Sequence, residues 1–205
     1  MSLATKQRIL SAAESLFASQ GFTHTSTRMI TQQAGVNLAA VNYHFGSKKN
    51  LIQAVLRNYF ESVIPNLDAK IDQLEKVEQP EIIDIISCVI TPLIAMDKDK
   101  PHSASVFIQL LGRGYSDSQG HLRSFILGNY GDTIARLMSL FRRSVSDVSE
   151  QELFWRLHFA LGSFVFSMAS SNALVEIAQA DFNQYPDTEA IIERLALFVA
   201  SGIQQ

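Results

Sequence analysis

Hydrophobic positions along the 205-residue chain recur with the 3.6-residue period of a helix, and strand-like alternation is nearly absent. Ile9, Leu10, Ala13, Leu16 and Phe17 fall on one helical face, and Gly21, after Ser19-Gln20, is expected to stop that helix. Phe22 returns the chain to the core. Thr25-Ser26-Thr27 offers cap hydroxyls to a second, short helix through Ala34. Gly35 breaks it, and Asn37 can cap a third helix from Leu38 to about Phe45. After Gly46, Ser47 caps a fourth, with Leu51, Ile52, Val55, Leu56, Tyr59 and Val63 inward, and Pro65 is expected to end or kink it.

The remainder continues in the same style. Pro80 suits the first turn of a helix carrying Ile82, Ile83, Ile86, Val89, Ile90 and Leu93. Asp97 to Lys100 reads as a solvated connector, Pro101 as the opening of a helix through Leu111, and Gly112 to Gly120 as a Gly/Ser-rich loop. Leu122, Phe125, Ile126, Ile134, Leu137, Met138 and Phe141 mark a long amphipathic helix. Ser149-x-x-Glu152 is a capping box opening a strongly apolar helix to about Ala169, and a last helix runs from about Asp187 to Ser201. The pattern predicts an all-α fold without internal repeats.

Composition narrows the function classes. With 47% hydrophobic and 18% charged residues the chain is expected to be globular. The lone cysteine, Cys88, supports neither an intramolecular disulfide nor a cysteine-based zinc site. No apolar run reaches the length of a membrane span, and the start lacks the basic-then-apolar order of a secretion signal, so a soluble cytoplasmic protein is expected. Charge is uneven. Residues 1–60 carry Lys6, Arg8, Arg28, Lys48, Lys49 and Arg57 against Glu14, whereas the remainder holds 11 basic and 19 acidic groups. A small basic end on an acidic body suits a polyanion at one end only.

The basic end also has the form of a helix-turn-helix. Ala34 permits close approach, Gly35 takes the special backbone angle, and Val36 fills the corner between the second and third helices. Val41 and Phe45 form the core face of the third helix, leaving Leu38, Ala39, Asn42 and Tyr43 toward a groove. An Asn can bond an adenine edge in two places, and small apolar groups can touch a thymine methyl. Thr25, Ser26, Thr27, Arg28, Tyr43, His44, Lys48 and Lys49 are hydroxyls and cations of the kind that meet phosphates.

Residues 25–51 as a string resemble the DNA-binding signature of TetR-family transcriptional repressors. The likeness lies in the Thr/Ser start, Ile30, Ala34-Gly35-Val36, the aromatic pair near the end of the third helix, His44-Phe45, Ser47-Lys48 and Leu51. Where that family commonly has Tyr after the Val41 position this chain has Asn42, with Tyr43 following. The run from Asn37 to Lys49 is also similar to the fatty-acid-responsive PsrA-like subgroup. The resemblance implies a homodimer placing two recognition helices in successive major grooves of a palindromic double-stranded operator, through Thr25 to Arg28, Asn37 to Ala39, Asn42 to His44, and Lys48. Residues 1–48 would be the DNA-binding domain, and 49–205 a ligand-binding and dimerisation domain for a small hydrophobic effector such as a long-chain fatty acid or acyl-CoA.

For that effector the candidates are Phe107, Leu111, Phe125 and Phe164 along the chain, with Arg113 and His121 beside its head group. The last two predicted helices carry more apolar residues than one core stripe requires, which points to a dimer interface at Phe154, Leu157, Leu161, Val165, Ile191, Leu195 and Phe198. Other constellations fail. Gly112-x-Gly114 begins a dinucleotide fingerprint but closes on Asp117 with no preceding strand, and the same stretch lacks the closing glycine of a nucleophile elbow. Histidines 24, 44, 102, 121 and 158 show no paired metal-ligand spacing, so neither metal nor cofactor is expected. The competing readings are an all-α ligand-binding or adaptor module without specific DNA binding and, more weakly, an enzyme acting on a lipid.

Overall fold

The computed structural model describes residues 3–116 and 120–204. Among them the chain forms ten helices and no strand: α1 (Leu3–His24), α2 (Thr27–Ala34), α3 (Leu38–Phe45), α4 (Lys48–Leu74), α5 (Ile82–Asp99), α6 (Ser103–Ser116), α7 (Gly120–Ser144), α8 (Glu150–Ala169), α9 (Ser171–Phe182) and α10 (Thr188–Gln204). The stop expected at Gly21 is a break inside α1, where that residue takes φ 83° and ψ 168°. The caps fall where the hydroxyl and amide side chains allow: Ser26, Asn37, Ser47 and Ser149 each accept a backbone N–H from the first turn that follows.

α1 to α3 pack around Ile9, Ala13, Phe17, Phe22, Ile30 and Val41, with Phe17 and Phe22 edge to face at 5.3 Å. α1 also lies against α4 and α6, so the three-helix head shares its longest helix with the body. The body packs α4 on α5 and α7, α6 on α8, and α10 on both α5 and α8.

Four expectations are corrected. α4 does not end at Pro65, and Pro65 and Glu61, whose carbonyl the ring leaves without its helical donor, are both exposed, where water can take that carbonyl. Asp97 to Asp99 of the expected connector are the end of α5, with Lys100 as its C-cap, and Asp97 Oδ1 accepts the Ala104 N–H at 2.7 Å as a cap for α6. The loop expected from Gly112 is helix through Ser116. A Cβ on Gly112 would sit 2.5 Å from Val165 Cγ1, so this glycine serves the close approach of α6 and α8, not a turn. Finally, α9 has no counterpart among the predicted helices. Its stripe, Leu174, Ile177, Ala178 and Phe182 at i, i+3, i+4 and i+8, opposite Asn172, Glu176 and Gln179, is short but present in the sequence.

Candidate nucleic-acid interface

The turn between α2 and α3 is built as its residues require. Gly35 adopts φ 62°, ψ 42°, a left-handed conformation in which its N–H reaches the α2 carbonyls of Thr31 and Gln32. Asn37 Oδ1 accepts the Ala40 N–H at 2.9 Å, which fixes the first turn of α3. Ala40, Val41 and Phe45 are buried, and Leu38, Ala39, Asn42 and Tyr43 are exposed, as the i, i+4 spacing predicts with Ala40 added to the inner face. Ser26 and Arg28 are exposed at the start of α2, and Thr27 and Lys48 are half-buried at the first positions of α2 and α4. α3 packs on both α2 and α4, so hydroxyls, an amide and cations come from three successive elements.

Two residues of the expected set, Thr25 and Asn37, have internal hydrogen bonds, and a third, His44, is half-buried. Thr25 is buried, and its hydroxyl donates to the Gly21 carbonyl at 2.7 Å and the Leu16 carbonyl at 3.2 Å, which ties down the broken end of α1. Thr25 is therefore a brace inside the head and not a phosphate contact. Asn37 is engaged as the α3 cap. His44 is half-buried, edge-on to Tyr43 at 5.1 Å, and its Nε2 has no hydrogen-bond partner.

The residues expected around an effector are dispersed. Phe107 is buried, stacked on Tyr59 at 5.1 Å and edge-on to Phe60 at 5.2 Å, and Tyr130 stacks on Phe60 at 4.5 Å and meets Phe125 edge-on. This aromatic cluster joins α4, α6 and α7. The Tyr59 hydroxyl is buried, and burial, then the Glu14 carboxylate beside it, push its pKa above the usual phenol range. Phe164 and Leu111 are partly buried against the same core. Arg113, expected at a head group, donates from Nη2 to the Ser19 carbonyl at 3.2 Å and so ties the end of α6 to α1. His121 stands at the start of α7 with its Nε2 buried, and burial, then nearby Lys49, lower its pKa. The cation seen against the aromatic cluster is Arg57, 5.5 Å from the Phe125 ring centre, which sequence spacing gave no means of finding. Two open cavities, of about 270 and 340 Å³, lie elsewhere, beside the starts of α6 and α10 and between α9 and α10, and none of these six residues lines them.

At the far end, Leu157, Val165, Ile191 and Leu195 of the expected interface are half-buried against the core, and Val165 packs on Gly112. Leu161 is half-buried as well. The exposed apolar side chains there are Phe154, Trp155, Phe159, Phe166, Leu197 and Phe198. The outer face of α8 is thus turned about one position from the stripe that the sequence suggested. Among the described residues no group of side chains could hold a metal ion, and no single helix is long and apolar enough to cross a membrane. The start of the dinucleotide fingerprint lies within α6, and Asp117 is outside the described residues.

Comparisons with known proteins agree with this architecture. Residues 9–55 match the family model for bacterial regulatory proteins of the tetR family, and residues 87–202 match the tetracyclin repressor-like C-terminal domain. The chain is 29% identical over 92 residues, 42% of its length and 44% of the relative's, to YttP, a probable HTH-type transcriptional regulator of Bacillus subtilis (strain 168). It is 42% identical over 52 residues, 25% of its length and 24% of the relative's, to the HTH-type transcriptional regulator SrpR of Pseudomonas putida. The matched stretch thus spans less than half the length of these curated relatives. Among solved structures, a mutant of HlyIIR superposes with a TM-score of 0.63 at 16% identity, covering 98% of this chain and 96% of that one. A protein of Shewanella sp. PV-4 assigned to the tetR family gives 0.60 at 18% identity, covering 96% of each.

Proposed function

The chain belongs to the tetR family of transcriptional regulators, which are DNA-binding proteins and not enzymes, and on that premise we propose that it is a homodimeric repressor released from its operator by a hydrophobic effector. The observation that carries the reading is the outer face of α3. Leu38, Ala39, Asn42 and Tyr43 are solvent-exposed on a helix whose inner face is closed, beside Ser26, Arg28 and Lys48. In this reading residues 1–48 form the DNA-binding domain, acting in the cytoplasm. Asn42 reads a base edge, Leu38 and Ala39 touch thymine methyls, and Tyr43, Ser26, Thr27, Arg28 and Lys48 hold phosphates. Lys48 is at the first turn of α4, where the helix N-terminus adds its own attraction for an anion.

Two heads must meet major grooves about 34–36 Å apart, so a modest spreading of the pair abolishes specific binding. The body, residues 49–205, supplies that spreading when an effector binds. A long-chain acyl group would have to part the stacked rings of the α4, α6 and α7 cluster, with Arg57 as the cation for its head group in place of Arg113. Each buried methylene would add about 0.8 kcal/mol. A C16–C18 fatty acid or its coenzyme A thioester should therefore release the operator far more effectively than a C8 acid, as titrated by fluorescence anisotropy. Release by planar aromatic compounds and by no acyl chain would overturn the acyl assignment and leave the repressor reading intact.

The repressor reading is tested through salt. Lys48→Ala should weaken binding to all sequences alike and flatten the plot of log affinity against log salt by about one unit. Unchanged affinity and slope would remove Lys48 from the interface. A wild-type chain that binds no genomic fragment at low salt would favour the adaptor alternative.

A further inference from the structure

Arg113, Arg136, Arg142, Arg143 and Arg156 are braces, each donating to a carbonyl or carboxylate on another segment of the chain. Arg8, on α1, is exposed and has no hydrogen-bond or ion-pair partner among the described residues. It nevertheless has a definite neighbour. α1 packs on both α2 and α3, and a Cβ on Gly35 would stand 3.8 Å from Arg8 Nη1. The guanidinium therefore lies over the turn of the helix-turn-helix.

The turn does not use it. The Thr31 carbonyl accepts the Gly35 and Val36 N–H groups and the Gln32 carbonyl accepts that of Gly35, so α2 is closed by its own backbone. Nor has the head a carboxylate to hold it. Glu14 is the only acidic residue among residues 1–60, and it pairs with Lys100 of the body, beside the buried Tyr59 hydroxyl. Lys100 thus neutralises the one charge on the head that would oppose an anion. In a helix-turn-helix the first residues of the second helix meet base edges, and the helix before it crosses the phosphate backbone. Gly35 lies three residues before Leu38, where α3 begins. A guanidinium over Gly35 accordingly stands at the rim of the groove that α3 enters, and its planar fork can give two parallel N–H bonds to one phosphate.

We propose that Arg8 is a DNA-phosphate contact made from α1, holding one backbone strand against the turn while Leu38, Ala39 and Asn42 face the bases. This rests on the repressor reading above and adds α1 to the elements that grip the operator. The residue is silent in sequence, because its place beside Gly35 depends on how α1 packs across α2 and α3. The same guanidinium lies near the negative end of the α2 dipole, a contact that would act on folding and not on DNA, so folding and binding must both be read.

The probe is the tightest duplex that the full wild-type chain recovers from a random-sequence pool. Arg8→Ala should raise its Kd by about tenfold or more, with an unchanged denaturation midpoint. The plot of log affinity against log salt should flatten by about 0.9 for each phosphate released. Arg8→Lys should keep the slope, since the charge stays, and lose part of the affinity, since the fork is gone. Lys6→Ala removes an equal charge from the same helix, but two residues away it points elsewhere, and the slope should stay nearly as it is. Phosphate ethylation reads the contact directly. Each half-site should hold a phosphate whose ethylation weakens the wild-type chain and leaves Arg8→Ala indifferent. An ethylation pattern unchanged by Arg8→Ala overturns the contact, whether or not Kd or midpoint moves. Equal flattening by Lys6→Ala and Arg8→Ala overturns it in favour of the head's general field. Either result leaves the repressor reading standing, whereas a wild-type chain that recovers no duplex overturns both.

Discussion

The head and the far end of the body both expose large apolar side chains, but in different company. On α3, Leu38 is 51% and Tyr43 70% exposed, with Asn42, Arg28 and Lys48 on the same or adjoining elements. On α8 and α10, Phe159 is 65% exposed and stacks on Trp155, and Phe198 is 69% exposed in a mainly aliphatic groove with Leu174, Ala178, Ile191 and Leu195, where Arg194 is the one cation. An exposed ring among cations and amides suits a phosphate-lined groove, whereas one among rings is completed by another protein surface. The company of an exposed side chain, more than its exposure, indicates its partner.

That contrast can be broken by substitution. Phe17→Ala empties the head core and should cost about 3–5 kcal/mol of stability, seen as a lowered chemical-denaturation midpoint. Phe159→Ser should barely change that midpoint in the monomer while weakening self-association by about 2 kcal/mol, measured by sedimentation. Equal effects on folding would show the α8 face to be core and not interface. Next in size, Gly112→Ala forces a methyl into Val165 and should cost about 1–3 kcal/mol, because α8 cannot withdraw without disturbing its contacts with α10. A midpoint equal to wild type would mean that Val165 simply rotates away.

The smallest expected effect concerns His121. Its folded pKa is depressed, so as pH falls the unfolded chain takes the proton first. The stability linked to this site is complete above about pH 6.5 and declines as pH drops from there toward the depressed value. His121→Phe should therefore make the acid loss of stability shallower. An unchanged slope would place the imidazole in water.

Much of the head was legible because its determinants are local. Ser26, Asn37 and Ser47 cap the turns that follow them, Gly35 needs its left-handed angle, and Val41 and Phe45 lie one helical turn apart. Thr25 was misread for a physical reason. A hydroxyl at a helix start looks the same in sequence whether it faces phosphate or, as here, the carbonyls of Leu16 and Gly21. The body was less legible, since its glycines and prolines depend on neighbours far along the chain. Gly112 signifies a turn until Val165 is known to lie against it, and Pro65 signifies a stop until its helix is seen to bury Leu67 and Ile71 beyond it.

The sequence by itself determined the helical class, the basic helix-turn-helix and which face of α3 is closed, because period, caps and charge act within a few residues of one another. Only the tertiary structure decided that Arg113 braces α1, that Arg57 lies on the aromatic cluster, that α8 turns Phe159 outward, and that α9 stands apart. Each of those depends on the rotation of one helix against another. That rotation is set by packing between residues 50 to 100 positions apart, and no single helical stripe encodes it.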